Sequence, residues 1–109
     1  MKTYNSRISG EINQYDLIIV ATDSFLDIGF YYGRGPTGTF QFYNLWSFKY
    51  VYQTRDPETG LLTLKPHKSY INSPTEARIT KYSPDLLEGD HKENYFIALE
   101  VFKLLNIEL

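Results

Sequence analysis

Eleven of the eighteen aromatic side chains in this chain lie between Phe25 and Tyr52, and the segment Gly33-Arg34-Gly35-Pro36-Thr37-Gly38 sits among them. Aromatic residues favour the pleated, half-buried surface of a strand, and glycine accepts the positive φ angles of a tight reversal. The stretch therefore predicts a β-hairpin, with Asp27 to Tyr32 as one strand and Thr39 to Tyr43 as the next. Side chains alternate between the faces of a strand. Phe30, Tyr32, Phe40 and Phe42 are expected to face inward with Ile28, leaving Tyr31 and Tyr43 on the other face, joined by Trp46 and close to Arg34, Gln41 and Lys49. This is more ring area than one small core needs, and surplus rings on a sheet are material for binding. Tyr31, Arg34, Tyr43, Trp46 and Lys49 are thus the candidate binding residues. The alternative packs Tyr31 and Tyr43 beneath a C-terminal helix with their hydroxyls in water.

The glycine segment also matches G-x-G-x-x-G. A dinucleotide site needs that pattern to open a helix whose N-terminus holds the pyrophosphate. Here Thr39-Phe40-Gln41-Phe42 follows, which reads as a strand. Protein kinases place such a loop between strands but also need His-Arg-Asp and Asp-Phe-Gly, neither of which occurs in this chain. A hairpin turn is the simpler reading, with positive φ expected at Gly35 or Gly38 and favoured at both.

Around the hairpin, residues 1–14 read as an extended lead-in. Leu17-Ile18-Ile19-Val20 has no alternation and reads as a strand covered on both faces. Thr22-Asp23-Ser24 and Asp56-Pro57-Glu58-Thr59-Gly60 carry turn chemistry. Ser47 to Gln53 alternates and predicts a fourth strand; Leu61 to Leu64 predicts a short returning strand, and Pro66 to Ser69 a surface loop. Ser73-Pro74-Thr75-Glu76 has the form of a capping box, and Ser83-Pro84-Asp85 repeats the cap-then-proline arrangement. The segment from Ala77 to Tyr82 reads as a short strand between two helical turns, the second ended by Gly89; a single helix from Pro74 to Tyr82 is the alternative.

The C-terminal helix is expected within residues 90–107, from about His91 to Asn106, with Asp90 as cap and Glu93 three residues on. Tyr95, Ala98, Leu99, Phe102 and Leu105 form one apolar stripe. Phe96, Ile97, Leu104 and Ile107 form much of a second, although a surface helix needs only one. The second stripe predicts either a clamped helix or an interface, including self-association of the chain.

These elements describe a single domain over residues 1–109, with a β-rich body at 15–82. The predicted fold is mainly β: a small, partly open antiparallel β-barrel, SH3-like in the order of its elements, with a C-terminal helix. The alternative is an α+β arrangement, a helix packed on an open antiparallel sheet.

The chain has no cysteine, which excludes disulfides, thiolate zinc sites and cysteine nucleophiles. His67 and His91 are its two histidines, and neither has a partner at ligand spacing. No metal, cofactor or catalytic signature is legible, so an enzyme is not expected. The net charge of −2 argues against phosphate-driven duplex binding. The longest apolar run near the start is too short to cross a bilayer, and a cytoplasmic location is expected. The reading that remains is a non-catalytic protein-binding module, for example a small accessory or inhibitory protein, phage- or virus-encoded, that acts on a host factor through an aromatic surface. The alternative is single-stranded nucleic-acid binding, with bases stacked on Tyr31, Tyr43 and Trp46 and with Arg34 and Lys49 on the backbone.

Overall fold

A computed structural model of the chain describes residues 8–9, 11–35, 38–53, 56–60, 66–71 and 77–107. Among these residues the strands are β1 (Ile8–Ser9), β2 (Leu17–Ala21), β3 (Leu26–Arg34), β4 (Phe40–Asn44), β5 (Lys68–Ile71) and β6 (Arg78–Lys81), and the α-helix is α1 (Gly89–Leu104). One sheet holds them in the order β1-β6-β2-β3-β4-β5. The five longer strands are antiparallel to their neighbours, and β1 adds a two-residue parallel pairing to β6 at one edge.

The unalternating run of β2 lies where it must, in the interior of the sheet between β3 and β6. Leu17 points to one face and Ile18 to the other, and both are buried. Leu17 and its partner Phe30 pack with Leu45, Phe48, Ala98, Val101 and Phe102 on the face that α1 covers. Ile18 and Val20 join Phe40, Phe42, Ala77 and Ile79 in a second buried cluster on the opposite face. Gly29, paired with Ile18, is required by close packing: a Cβ there would lie 2.1 Å from the Tyr43 carbonyl oxygen and 3.0 Å from the Phe42 ring.

Phe102 is the hub of the helix-side cluster. Its ring centroid lies 5.1 Å from Phe30, 5.2 Å from Phe48, 5.4 Å from Tyr15 and 5.8 Å from Tyr43. The contacts to Phe30, Phe48 and Tyr43 are edge-to-face, which sets positive ring edges against negative ring faces.

Strands β3 and β4 pair as an antiparallel hairpin on either side of the glycine segment, and no helix begins at Thr39. The Gly35 N–H donates to the Thr39 carbonyl at 2.8 Å and the Gly38 N–H to the Gly35 carbonyl at 3.0 Å; Gly38 takes φ +84, whereas Gly35 does not take the positive φ expected of it. A bulge interrupts the hairpin, because Tyr31 pairs with Phe42 while Gly33 pairs with Gln41, leaving Tyr32 as the extra residue. The other turns follow their side-chain chemistry. Thr22 Oγ1 accepts from the N–H groups of Ser24 and Phe25, and Asp56 Oδ1 accepts from those of Glu58 and Thr59. These two N–H groups also hold the Asp56 carboxyl below its usual range.

The α+β alternative describes the architecture, and the barrel does not. The sheet is open, with β1 and β5 at its two edges. The expected fourth strand at Ser47 to Gln53 is instead a 3-10 helix, Leu45–Gln53. Its period of three puts Leu45 and Phe48 together in the core, and the Ser47 hydroxyl starts the turn by donating to the Asn44 carbonyl at 2.7 Å. With no strand there, the described strands form an open sheet. The predicted loop at Pro66 to Ser69 is corrected as well, since Lys68–Ile71 is β5, paired with β4. The Ala77 to Tyr82 segment contains β6, which removes the alternative of a single helix through it. The Leu61 to Leu64 strand and the Ser73 to Glu76 capping box lie outside the described residues.

Two features of the C-terminal region settle its stripes. Ser83 caps the 3-10 turn Pro84–Leu86 by accepting from the Asp85 N–H, as its sequence predicts. Helix α1 begins at Gly89 with Glu88 at the N-cap position, so Asp90 lies in the first turn, where it complements the helix dipole, and is not the cap. At the other end Asn106 takes φ +61, and the N–H groups of Asn106 and Ile107 return to the carbonyls of Lys103 and Phe102. This is a Schellman closure, which folds Ile107 back against the core.

Candidate interaction surface

The end of β4 builds the surface. Asn44 is buried; its N–H donates to the His67 carbonyl at 3.1 Å and its Nδ2 donates to the Ser69 hydroxyl, while its own carbonyl accepts from Ser47. One residue therefore ties the start of the 3-10 helix to the chain entering β5. That tie brings the rings of Trp46 and His67 to 6.0 Å. Tyr50, one further turn along, meets Trp46 at 6.2 Å with an interplanar angle of 72°, and Lys49 Nζ stands 5.3 Å from the centre of the Tyr50 ring. Trp46 and Tyr50 are each 49% exposed. The result is a ring surface on a pinned helical turn, with Lys49 beside it and Lys68 next in sequence to His67.

Of the residues expected to bind, only Trp46 and Lys49 meet here. Tyr31 and Tyr43 do not share a face. Tyr31 stacks on Phe40 at 4.8 Å and packs against the Ile18–Phe42 cluster, while Tyr43 sits under α1 among Tyr15, Tyr32, Phe48 and Phe102. Across the hairpin Tyr31 pairs with Phe42, and Phe30 with Tyr43, so Phe40 and Phe42 face away from Phe30. The expected grouping of Phe30 with Phe40 and Phe42 is thereby corrected. Tyr43 lies beneath the helix as the covered alternative expects, although Tyr31 does not and the Tyr43 hydroxyl is partly withdrawn from water: burial, and then Tyr15 and Tyr32 beside it, push it up to about 12. Lys68 Nζ lies 3.9 Å from the centre of the Tyr32 ring and 5.8 Å from that of Tyr43. Arg34 is exposed at the far end of β3, opposite Phe40.

Tyr50 and His67 were not legible as site residues. Alternation puts Tyr50 on the inner face of a strand, and the nearness of His67 depends on the β4–β5 pairing. Of the second helix stripe, Ile97 and Ile107 pack on the core while Phe96 and Leu104 are exposed.

Among the described residues no group of three or more His, Cys, Asp or Glu side chains could hold a metal ion, and no helix is long and apolar enough to cross a membrane. Comparison with protein-family models, with curated proteins and with solved structures finds no match to this chain.

Proposed function

We infer that the chain is a non-catalytic protein-binding module that contacts its partner through Trp46, Tyr50 and His67, with Lys49 at the side. The observation that carries this reading is the pair of half-exposed rings on a turn that Asn44 holds in place. Rings of this kind dominate many interfaces because they bring a large contact area with few rotatable bonds. Hydrogen bonds at Asn44 tie their support to β5, which reduces the ordering left to occur on binding. Lys49 favours a partner surface with a carboxylate at the edge of the contact. In this role the protein is an accessory or inhibitory factor that acts by occupying a host component.

The test is affinity capture from the cells in which the protein is made, comparing the wild type with the Trp46→Ala/Tyr50→Ala double variant. The expected result is a partner recovered by the wild type and lost by the variant, with unfolding temperatures nearly equal. Equal recovery of the same partner by both proteins rejects this surface.

Lys49 beside the Tyr50 ring also favours a second reading, single-stranded nucleic acid stacked on Trp46 and Tyr50. The 72° angle between those rings weighs against it, since consecutive stacked bases are nearly parallel. Trp46 is the one tryptophan of the chain, so quenching of its fluorescence by a single-stranded oligonucleotide, reversed by salt, distinguishes the two.

A further inference from the structure

A separate cleft opens at the end of the sheet where β2 begins and β6 stops. Its volume is about 280 Å³. Leu17 and Phe30, both buried, form its base, and Tyr15, Tyr82, Tyr95 and Pro84 stand around it. Asp16 and Lys81 lie at its lip as an ion pair at 3.5 Å, their side chains 26% and 55% exposed. Asp16 is held in place by the Asn13 N–H, which donates to its Oδ2 at 2.8 Å. Tyr95 is fixed by stacking on Phe30 at 5.9 Å, and Tyr15 by packing on Phe102.

We propose that this cleft binds a free aromatic α-amino acid, its ring among the tyrosines and its ammonium and carboxylate groups set antiparallel to Asp16 and Lys81. Three properties of the site select that class. The volume lies at the small end of ligand pockets, which suits one ring and a short head and excludes a nucleotide. The lining is aromatic on several sides, so a flat ring gains more contact there than a branched aliphatic chain. The lip carries both signs of charge within one head-group length, so a ligand with a single charge is attracted by one residue and repelled by the other. A zwitterion satisfies both. This site is distinct from the Trp46 surface and does not depend on it.

The test is calorimetric and NMR titration of the full chain with L-phenylalanine, 2-phenylethylamine, 3-phenylpropionate and L-alanine. L-Phenylalanine is expected to bind about tenfold more tightly than each of the others, with shifts in the ring signals of Tyr15, Tyr82 and Tyr95. Two variants read the charges separately. Asp16→Asn keeps an oxygen to accept from the Asn13 N–H and should bind 3-phenylpropionate more tightly than the wild type does. Lys81→Gln should bind 2-phenylethylamine more tightly, and both variants should weaken L-phenylalanine about tenfold. The pair is partly open to solvent and adds little to stability, and each variant keeps a polar side chain of similar size, so both should fold. Absence of L-phenylalanine binding at roughly 10 mM overturns the proposal. Equal binding of all four probes, or variants that leave the order of affinities unchanged, also overturns it.

Discussion

The rings around Phe102 and the rings around Trp46 come largely from one aromatic segment, and they end in opposite environments. Phe30, Tyr43 and Phe48 close on Phe102 beneath the helix, whereas Trp46 and Tyr50 are half in solvent within two residues of Phe48. Composition does not separate the two sets; backbone period does. In β4 every second residue is buried, and where the chain tightens into a 3-10 helix the buried apolar positions become Leu45 and Phe48. The change of period at Asn44 sends Trp46 outward, and it is the local cause of the proposed surface.

Removing the hub tests this contrast most severely. Phe102→Ala deletes a ring with four aromatic neighbours and is expected to cost about 3–5 kcal/mol, measured by denaturant unfolding. A loss below ~1 kcal/mol contradicts the assigned packing. Asn44→Ala strikes the junction between the two ring sets. It removes the Nδ2 bond to Ser69 while leaving the backbone bond to His67 in place, and is expected to cost about 1–3 kcal/mol. It should also alter Trp46 emission in the folded protein, which a purely global destabilisation would not do.

A smaller effect comes from Tyr43. Its hydroxyl has a folded-state value of about 12 against an ordinary 10.0. Because the folded value is the higher, the protonated phenol stabilises the fold below pH 10, and this contribution is lost as pH rises from 10 towards 12. Thermal unfolding across that interval should fall less steeply in Tyr43→Phe than in the wild type. On the exposed side, Trp46→Ala and Tyr50→Ala should each change stability by less than about 0.5 kcal/mol, since neither ring is in the core. A large loss at either position would move that ring into the buried set. Phe96→Glu is the mildest change. The Schellman turn has already drawn Ile107 inward, so Phe96 and Leu104 alone remain for pairing two copies, and sedimentation of the variant should match that of the wild type.

Much of the sheet was legible because its signals are local. The doubly buried run at Leu17 to Val20, the glycines of the hairpin and the cap at Ser83 each act through neighbours in sequence. The errors share a different origin. Ser47 to Gln53 alternates well enough for a strand, and only the core behind it favours pairing Leu45 with Phe48. Lys68 to Ile71 has little apolar pattern of its own and is a strand because β4 offers an edge. Tyr31 and Tyr43 carry equal ring character, and their separation to opposite faces follows from a hairpin register that residue types alone do not specify. The candidate surface was half legible: Trp46 and Lys49 are adjacent in sequence to the turn that presents them, whereas Tyr50 and His67 arrive through tertiary structure.

The bulge at Tyr32 has a consequence for how the length of this chain can vary. The residues before it keep their partners through the Tyr31–Phe42 pair, and those after it through Gly33–Gln41. Deleting Tyr32 would join two ladders that are already in step, leaving Ile28, Phe30, Phe40 and Phe42 on their present faces. A deletion at Gly29 would instead turn Phe30 and Tyr31 over before the bulge takes up the shift, which carries Phe30 out of the helix-side core. Gains and losses of single residues in this hairpin are therefore expected to concentrate at position 32, where the fold holds one residue outside its count.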